Sequence, residues 1–164
     1  MTLIVGNKVS YPSQGPCLIG AVVKRIIDDR PMMFYQLLVL NNGGGNLFIP
    51  VDNVQTIGIR ALLKKSEIPK LLDRLKQPTQ SADTSRQRAI DNQKLFASGS
   101  AFALAEVIEA LTELRETKAL SFGEHKALER AKMLLICEIS EVTGETGEEA
   151  EQQIEQALKA RNKQ

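Results

Sequence analysis

The sequence predicts an α+β protein: a small, strongly bent β-barrel over residues 1–62, followed by an all-helical bundle over residues 63–164. Three observations predict it. As far as Arg60, short runs rich in Ile, Val and aromatic residues are parted by Gly, Pro and Asn turns, the pattern of short, closely joined strands. Beyond Arg60 the apolar residues recur at three- and four-residue spacing, which puts them on one face of a helix. Cap-forming Ser and Thr residues then stand in front of several of these runs.

The run from Gly6 to Gly15 reads as a turn, a short strand and a second turn. Val9 and Tyr11 alternate with polar residues, and Pro12 ends the strand because it cannot donate to a ladder. Leu18 to Ile27 is a long second strand, and Asp28-Asp29-Arg30-Pro31 a turn. Met33 to Leu40 is the third strand. Asn41-Asn42-Gly43-Gly44-Gly45 is a hairpin loop, since Asn and Gly tolerate positive φ. Asn46 to Ile49 is a fourth strand stopped by Pro50, and Val54 to Ile59 supplies a fifth.

In the second half, Ser66 is placed to cap a helix with Pro69 in its first turn and Ile68, Leu71, Leu72 and Leu75 on one face. Gln77 to Asp83 is a polar linker. A helix from Ser85 to Ser98 ends at Gly99. Ser100 caps the next, Ala101 to about Thr117, with Leu104, Val107, Ile108, Leu111 and Leu114 facing inward. Ser121 with Glu124 is a capping box opening a helix that ends at Gly144, and Thr146 with Glu149 opens a last one.

Composition narrows the function. The net charge of +1 conceals a gradient: +2 over residues 1–60, +3 over 61–132 and −4 over 133–164. That is too little to hold DNA unaided at physiological salt, although a tethered protein needs only a few weak contacts. No run approaches the ~18–20 apolar residues of a membrane span, and the N-terminus lacks a secretion signal. Cys17 and Cys137 lie far apart and read as two small buried thiols of a cytoplasmic protein. One histidine and no CxxC pair leave no metal site, and no cofactor is expected.

Catalysis finds no support. Gly43-Gly44-Gly45 is followed by neither Gly-Lys-Ser/Thr nor a helix, so it is a hairpin tip, not a phosphate loop. His125 sits between Glu124 and Lys126 with no nucleophile placed beside it and reads as a solvated side chain. Two basic clusters remain: Arg86, Arg88 and Lys94 on one helix, and Lys126, Arg130 and Lys132 on another. They are either a solvated face or a phosphate-contacting surface, according to whether they meet in space. Lys24-Arg25-Ile26-Ile27 is either an ordinary strand end or an edge suited to pairing with a partner sheet.

Taken together, several pieces resemble the CarD/CdnL family of bacterial RNA-polymerase-binding transcription regulators, from about Ile4 to Thr143. They are Gly6…Val9…Tyr11-Pro12…Gly15, Tyr35…Leu37…Leu40, Ile49-Pro50-Val51-Asp52-Asn53…Ile57-Gly58-Ile59-Arg60, Lys94-Leu95…Ala97-Ser98-Gly99, and Leu120-Ser121…Gly123-Glu124…Ala131-Lys132. The resemblance implies a Tudor-like N-terminal domain that binds the polymerase β subunit by strand pairing. It also implies a helical domain at the upstream edge of the melted promoter bubble. By position, Arg25 and Ile27 fall where the family contacts polymerase, and Phe48 where members can carry an arginine. Arg86, Arg88, Lys126 and Lys132 fall in the family's DNA-facing regions, and Arg130 lies among them. Where the resemblance implies a wedge tryptophan, this chain has Ser85.

The reading is a non-enzymatic, monomeric transcription regulator that docks on the β subunit and contacts promoter DNA weakly, with less open-complex stabilisation than a tryptophan-bearing relative. The alternative is an adaptor that docks on polymerase or a repair factor without functional DNA contact. A ligand-binding helical bundle has only its apolar core in its favour.

Overall fold

A long antiparallel hairpin forms the spine of the N-terminal half. The computed structural model describes residues 3–41 and 43–161. Met1, Thr2 and Asn42, on which the readings of the N-terminus and the hairpin loop partly rest, lie outside the described residues. The strands are β1 (Lys8–Tyr11), β2 (Gly15–Ile27), β3 (Arg30–Val39), β4 (Asn46–Pro50) and β5 (Arg60–Ala61). They form one antiparallel sheet in the order β4-β3-β2-β1-β5. The turn between β2 and β3 is tighter than expected. Asp28 and Asp29 both take positive φ, 50° and 61°, which lets two residues reverse the chain with the strands' own twist. Pro31 therefore joins β3, in the stretch that only β2 pairs with, where a strand tolerates its missing N–H.

A register shift between Ile19 and Ala21 makes Gly20 a bulge, which bends β2. The inner part of the hairpin is core: Cys17, Ile19, Tyr35 and Leu37 are buried with Val9, Ile49, Val54 and Ile59. The outer part projects beyond it. Val54 to Ile59 does not form a strand. Val54–Ile57 is a short helix, α1, closed by Gly58 at φ 91°, and the fifth strand begins only at Arg60. The α-helical turn buries Val54 and turns the chain so that Arg60 reaches β1.

The helices are α2 (Ile68–Arg74), α3 (Ser85–Ser98), α4 (Ala101–Thr117), α5 (Phe122–Thr143) and α6 (Gly147–Lys159). Ser66 does not cap α2. It lies in a 3-10 turn, where the Lys64 N–H donates to Glu67 Oε1 at 2.9 Å. The caps at Ser100, Ser121 and Thr146 are as expected, as are the left-handed ends at Gly99 and Gly144. For α3 the cap is Thr84, whose hydroxyl accepts from the Gln87 N–H at 3.1 Å; Ser85 is the first helical residue.

α4 is the axis of the bundle. Ala105, Val107 and Ile108 are fully enclosed, against Leu71 and Leu75 on one side and Leu128, Ala131, Leu135 and Ile139 on the other. Ala150, Ile154, Ala157 and Leu158 fasten α6, so the acidic segment after Gly144 is packed through that helix. Each enclosed Leu or Ile side chain contributes about 1.5–3 kcal/mol. No helix among the described residues is long and apolar enough to cross a membrane.

The two halves are joined by polar bonds and close backbone approach. Lys8 Nζ meets Glu141 Oε2 at 2.7 Å, and Arg130 donates to the Ser13 carbonyl at 2.5 Å. Arg60 forks onto Glu138 of α5 and also donates to the Gly99 carbonyl at 2.7 Å. Pro12 seats against Gly58 and Gly99, where a Cβ on Gly99 would stand 3.0 Å from Pro12 Cγ and 3.1 Å from the Gly58 oxygen.

Candidate functional site

Two surfaces gather the residues singled out in the sequence. The first is the outer half of the β2–β3 hairpin. β1 pairs with β2 only over Gly15–Leu18, and β4 pairs with β3 only over Phe34–Leu38. From Lys24 to Met33 the two strands have only each other as ladder partners among the described residues. Such a prong carries unused backbone donors and acceptors along its edges. It is also apolar on its surface: Ile26 is 74% exposed, Ile27 and Met33 are exposed as well, and so is Phe48 on the neighbouring β4.

Strand alternation puts Arg25, Ile27, Met32 and Phe48 on one face of the sheet. The Arg25 guanidinium lies 4.4 Å from the centroid of the Phe48 ring, a cation–π contact that crosses the intervening strand β3. The sequence reading reached Arg25, Ile27 and Phe48 separately by position; the structure brings them together. Ile26 was already part of the Lys24–Ile27 edge; Met32 and Met33 were missed, although a run of apolar residues flanking an Asp-Asp turn could have found them.

The second surface is the end of the bundle where α3 and α5 both begin. A groove of about 430 Å³ is lined by Ser85, Arg86, Ala89 and Phe96 from the α3 side and by Ser121, Gly123 and Glu124 from the α5 side. Of the two basic clusters, Arg86 lines this groove and Lys126 lies two residues beyond Glu124 of its α5 wall. Arg86 and Lys126 are both exposed at this end. Ser85 is exposed and presents only a hydroxyl.

Arg88 is not on a surface. It is buried, its Nε lies 3.2 Å from Glu124 Oε2, and it also donates to the Ala82 and Asp83 carbonyls. It ties the linker and α3 to the first turn of α5. Burial alone raises the Glu124 carboxyl, but the Ser121 N–H, the Arg88 guanidinium and the Ser121 hydroxyl outweigh it and hold the group below its ordinary value. Lys132 is mostly covered and bonded to Glu155 at 2.9 Å, and Arg130 is engaged with the Ser13 carbonyl. A basic helix face read from spacing therefore divides into solvated cations, Arg86, Lys94 and Lys126, and cations bonded to other parts of the fold, Arg88, Arg130 and Lys132.

One residue at this end was not foreseen. Phe122, the first residue of α5, is 75% exposed, with Lys126 Nζ 4.6 Å from its ring centroid. The signal was present: it stands inside a capping box, out of phase with the apolar stripe that begins at Leu128. His125 is exposed and lies 3.4 Å from Glu129.

Elsewhere the ionisable groups serve the fold. Burial pushes the Cys17 thiol up to about 11. The Glu109 carboxyl is raised by burial, although its Oε2 accepts from the Thr79 N–H at 2.9 Å, which pins the linker to α4.

Comparison with known proteins finds both a family and solved structures that this chain resembles. The family described as "CarD, C-terminal domain" matches residues 70–155. Among solved structures, the solution NMR structure of the 72-residue N-terminal domain of Myxococcus xanthus CarD is 28% identical to this chain, with a TM-score of 0.31. That match covers 37% of this chain and 79% of that one.

Proposed function

This chain belongs to the CarD family, and from that premise we propose that it is a transcription regulator docking on the β subunit of RNA polymerase through its hairpin prong. The helical half is then held beside promoter DNA near the upstream edge of the melted bubble. The observation that carries the reading is the prong itself: an unpaired two-stranded edge beside an exposed apolar and Arg25–Phe48 face. Strand addition needs free backbone groups for affinity and flanking side chains for specificity, and both are present together. Tethering raises the local concentration of DNA, so a few solvated cations such as Arg86 and Lys126 are sufficient for a contact that none would hold alone.

The test is binding of the full chain to the isolated β-subunit lobe of its own polymerase. The expected result is saturable binding that Arg25→Glu abolishes; wild-type protein that fails to bind removes the docking assignment.

A second reading is favoured by the engagement of Arg88, Arg130 and Lys132 with other groups of the fold. With those cations withdrawn, an adaptor docking on polymerase or a repair factor and recruiting a second protein is a coherent alternative. Salt dependence separates the two. Each phosphate contacted adds about 0.9 to the slope of log affinity against log salt, whereas an adaptor adds none to promoter binding in the ternary complex.

A further inference from the structure

We propose that Phe122 is a stacking platform for an unpaired nucleobase of promoter DNA, with Lys126 and Arg86 meeting the phosphates on either side of it. The inference rests on the reading of the α3–α5 end of the bundle as DNA-facing, and it names the group that makes the contact.

The ring has no structural duty. Phe122 is the most exposed of the large apolar side chains among the described residues, at 75%. It lies outside the stripe of Leu128, Ala131, Leu135 and Ile139 that packs α5 into the core. Its place is stable because the Ser121–Glu124 capping box on either side fixes the start of the helix. The Lys126 ammonium stands over the ring, as the ring quadrupole favours, and one cation occupies one face. Beside it, the position a Gly123 side chain would take is open, with nothing within 4 Å.

The charges around the ring select the occupant. Glu124 is neutralised by Arg88, and Glu129, beside His125, is one anion against the two cations Arg86 and Lys126. Among the described residues neither Arg86 nor Lys126 has an anionic partner, so the local balance is positive. A flat apolar surface flanked by cations suits a base and its phosphates, since every base offers a π face and the backbone supplies the anions. An apolar pocket on a protein partner suits it poorly. Covering the ring there would also take the Lys126 ammonium out of water without an anion to meet it.

The experiment uses the full chain with its polymerase on a promoter carrying 2-aminopurine at the upstream edge of the melted region. It compares wild type with Phe122→Ala, Phe122→Leu and Phe122→Trp and measures open-complex lifetime and 2-aminopurine fluorescence. The expected result is a loss of lifetime of roughly 5-fold or more for both Ala and Leu, because leucine keeps the apolar bulk but lacks the flat face. 2-Aminopurine fluorescence rises with each, Phe122→Trp retains the wild-type lifetime, and binding to the β-subunit lobe is unchanged throughout.

If Leu behaves as wild type while Ala fails and the fluorescence does not move, the ring enters a protein pocket and the proposal is overturned. If neither variant changes anything while wild type binds the lobe, stacking is overturned and the docking reading stands. If wild type fails to bind the lobe, the docking reading falls. Stacking is then decided on the free protein, where Phe122→Trp supplies the only tryptophan of the chain. Quenching by short single-stranded deoxyadenylate at low salt supports the platform, and an unchanged spectrum overturns it.

Discussion

Arg60 and Glu138 face each other across the joint between the sheet and the helices, each terminal guanidinium nitrogen 2.7 Å from its own carboxylate oxygen. Glu138 is enclosed, at 2% side-chain exposure, whereas Arg60 keeps 27% of its side chain in water. The Leu63 N–H also donates to Glu138 Oε2 at 2.9 Å. One carboxylate thus holds a strand, a loop and the middle of α5 together. The pair has unequal halves. Arg60→Ala strands a buried anion and costs about 3–5 kcal/mol. Glu138→Ala costs less, because Arg60 can turn to water and keeps the Gly99 and Ala61 carbonyls. Urea unfolding of both variants measures this, and an equal loss would show that the pair is not desolvated unequally.

Gly99→Ala is expected to destabilise more than Gly44→Ala, although both glycines have positive φ, 75° and 58°. The left-handed backbone alone costs an alanine about 1–2 kcal/mol. At Gly44 a Cβ meets nothing within 4 Å, whereas at Gly99 it meets Pro12 and the Gly58 carbonyl at once, adding about 1–3 kcal/mol of overpacking. Thermal melts of the two variants compare them directly.

Arg88 and Arg86 separate structure from contact. Arg88→Ala is expected to cost about 3 kcal/mol by leaving Glu124 without its cation, and Arg86→Ala to stay within about 0.5 kcal/mol of wild type. In promoter complexes Arg86→Ala instead lowers the salt slope by about 0.9. The Glu124 carboxyl is depressed in the folded chain, so its contribution is complete above its ordinary value of 4.5 and is lost as pH falls through the folded value. Acid titration of stability should therefore be flatter for Arg88→Ala than for wild type.

Glu109 runs the other way. Its carboxyl is raised by burial, with Glu113 adding to the rise and Thr79 and Arg161 opposing it. A raised carboxyl favours the folded state while protonated, and that advantage is lost as pH rises from 4.5 through the folded value. Glu109→Gln keeps an oxygen for the Thr79 N–H and cannot ionise. Relative to wild type, its melting temperature is expected to gain between pH 4 and pH 8; a constant offset across that range would contradict the assignment.

The thiols make a simpler case. Cys17 is fully buried with its pKa pushed up to about 11. Cys137 is half-buried and raised by burial and by Glu141. Since the thiolate is the reactive form, a thiol reagent at pH 8 is expected to modify Cys137 slowly and Cys17 only after unfolding.

Much of the fold was legible because its signals are local. Ser100, Ser121, Thr146, Gly99 and Gly144 mark helix ends through bonds to residues three or four away. β1 to β4 follow from alternation bounded by turns. The misreading of Val54 to Ile59 shows the limit of that signal. Its β-branched residues suit a strand, but the αL turn at Gly58 and the burial of Val54 against the sheet favour a helical turn. The tight Asp28-Asp29 turn was missed by two residues for a similar reason: Pro31 suggests a loop until the open edge of β3 is known.

The candidate site was legible as a list of residues and not as an arrangement. Arg86, Arg88, Arg130 and Lys132 look alike in sequence, yet only Arg86 faces water without a partner among the described residues, while the others meet Glu124, Ser13 and Glu155. The pieces that carried the family resemblance have a related lesson. Pro12, Gly58, Arg60 and Gly99 lie at the joint between the halves, so part of what identifies the family is the seam that sets one surface relative to the other. By itself, the sequence determined the change from strands to helices, the helix caps from Ser100 onward and the family, because these depend on neighbours along the chain and on periodicity. Only the tertiary structure decided which cations stay in solvent, that Arg25 lies over Phe48, and that Phe122 stands unburied beside Lys126. Those outcomes depend on which carboxylates and rings the packing brings within a few ångströms, and chain position does not carry that distance.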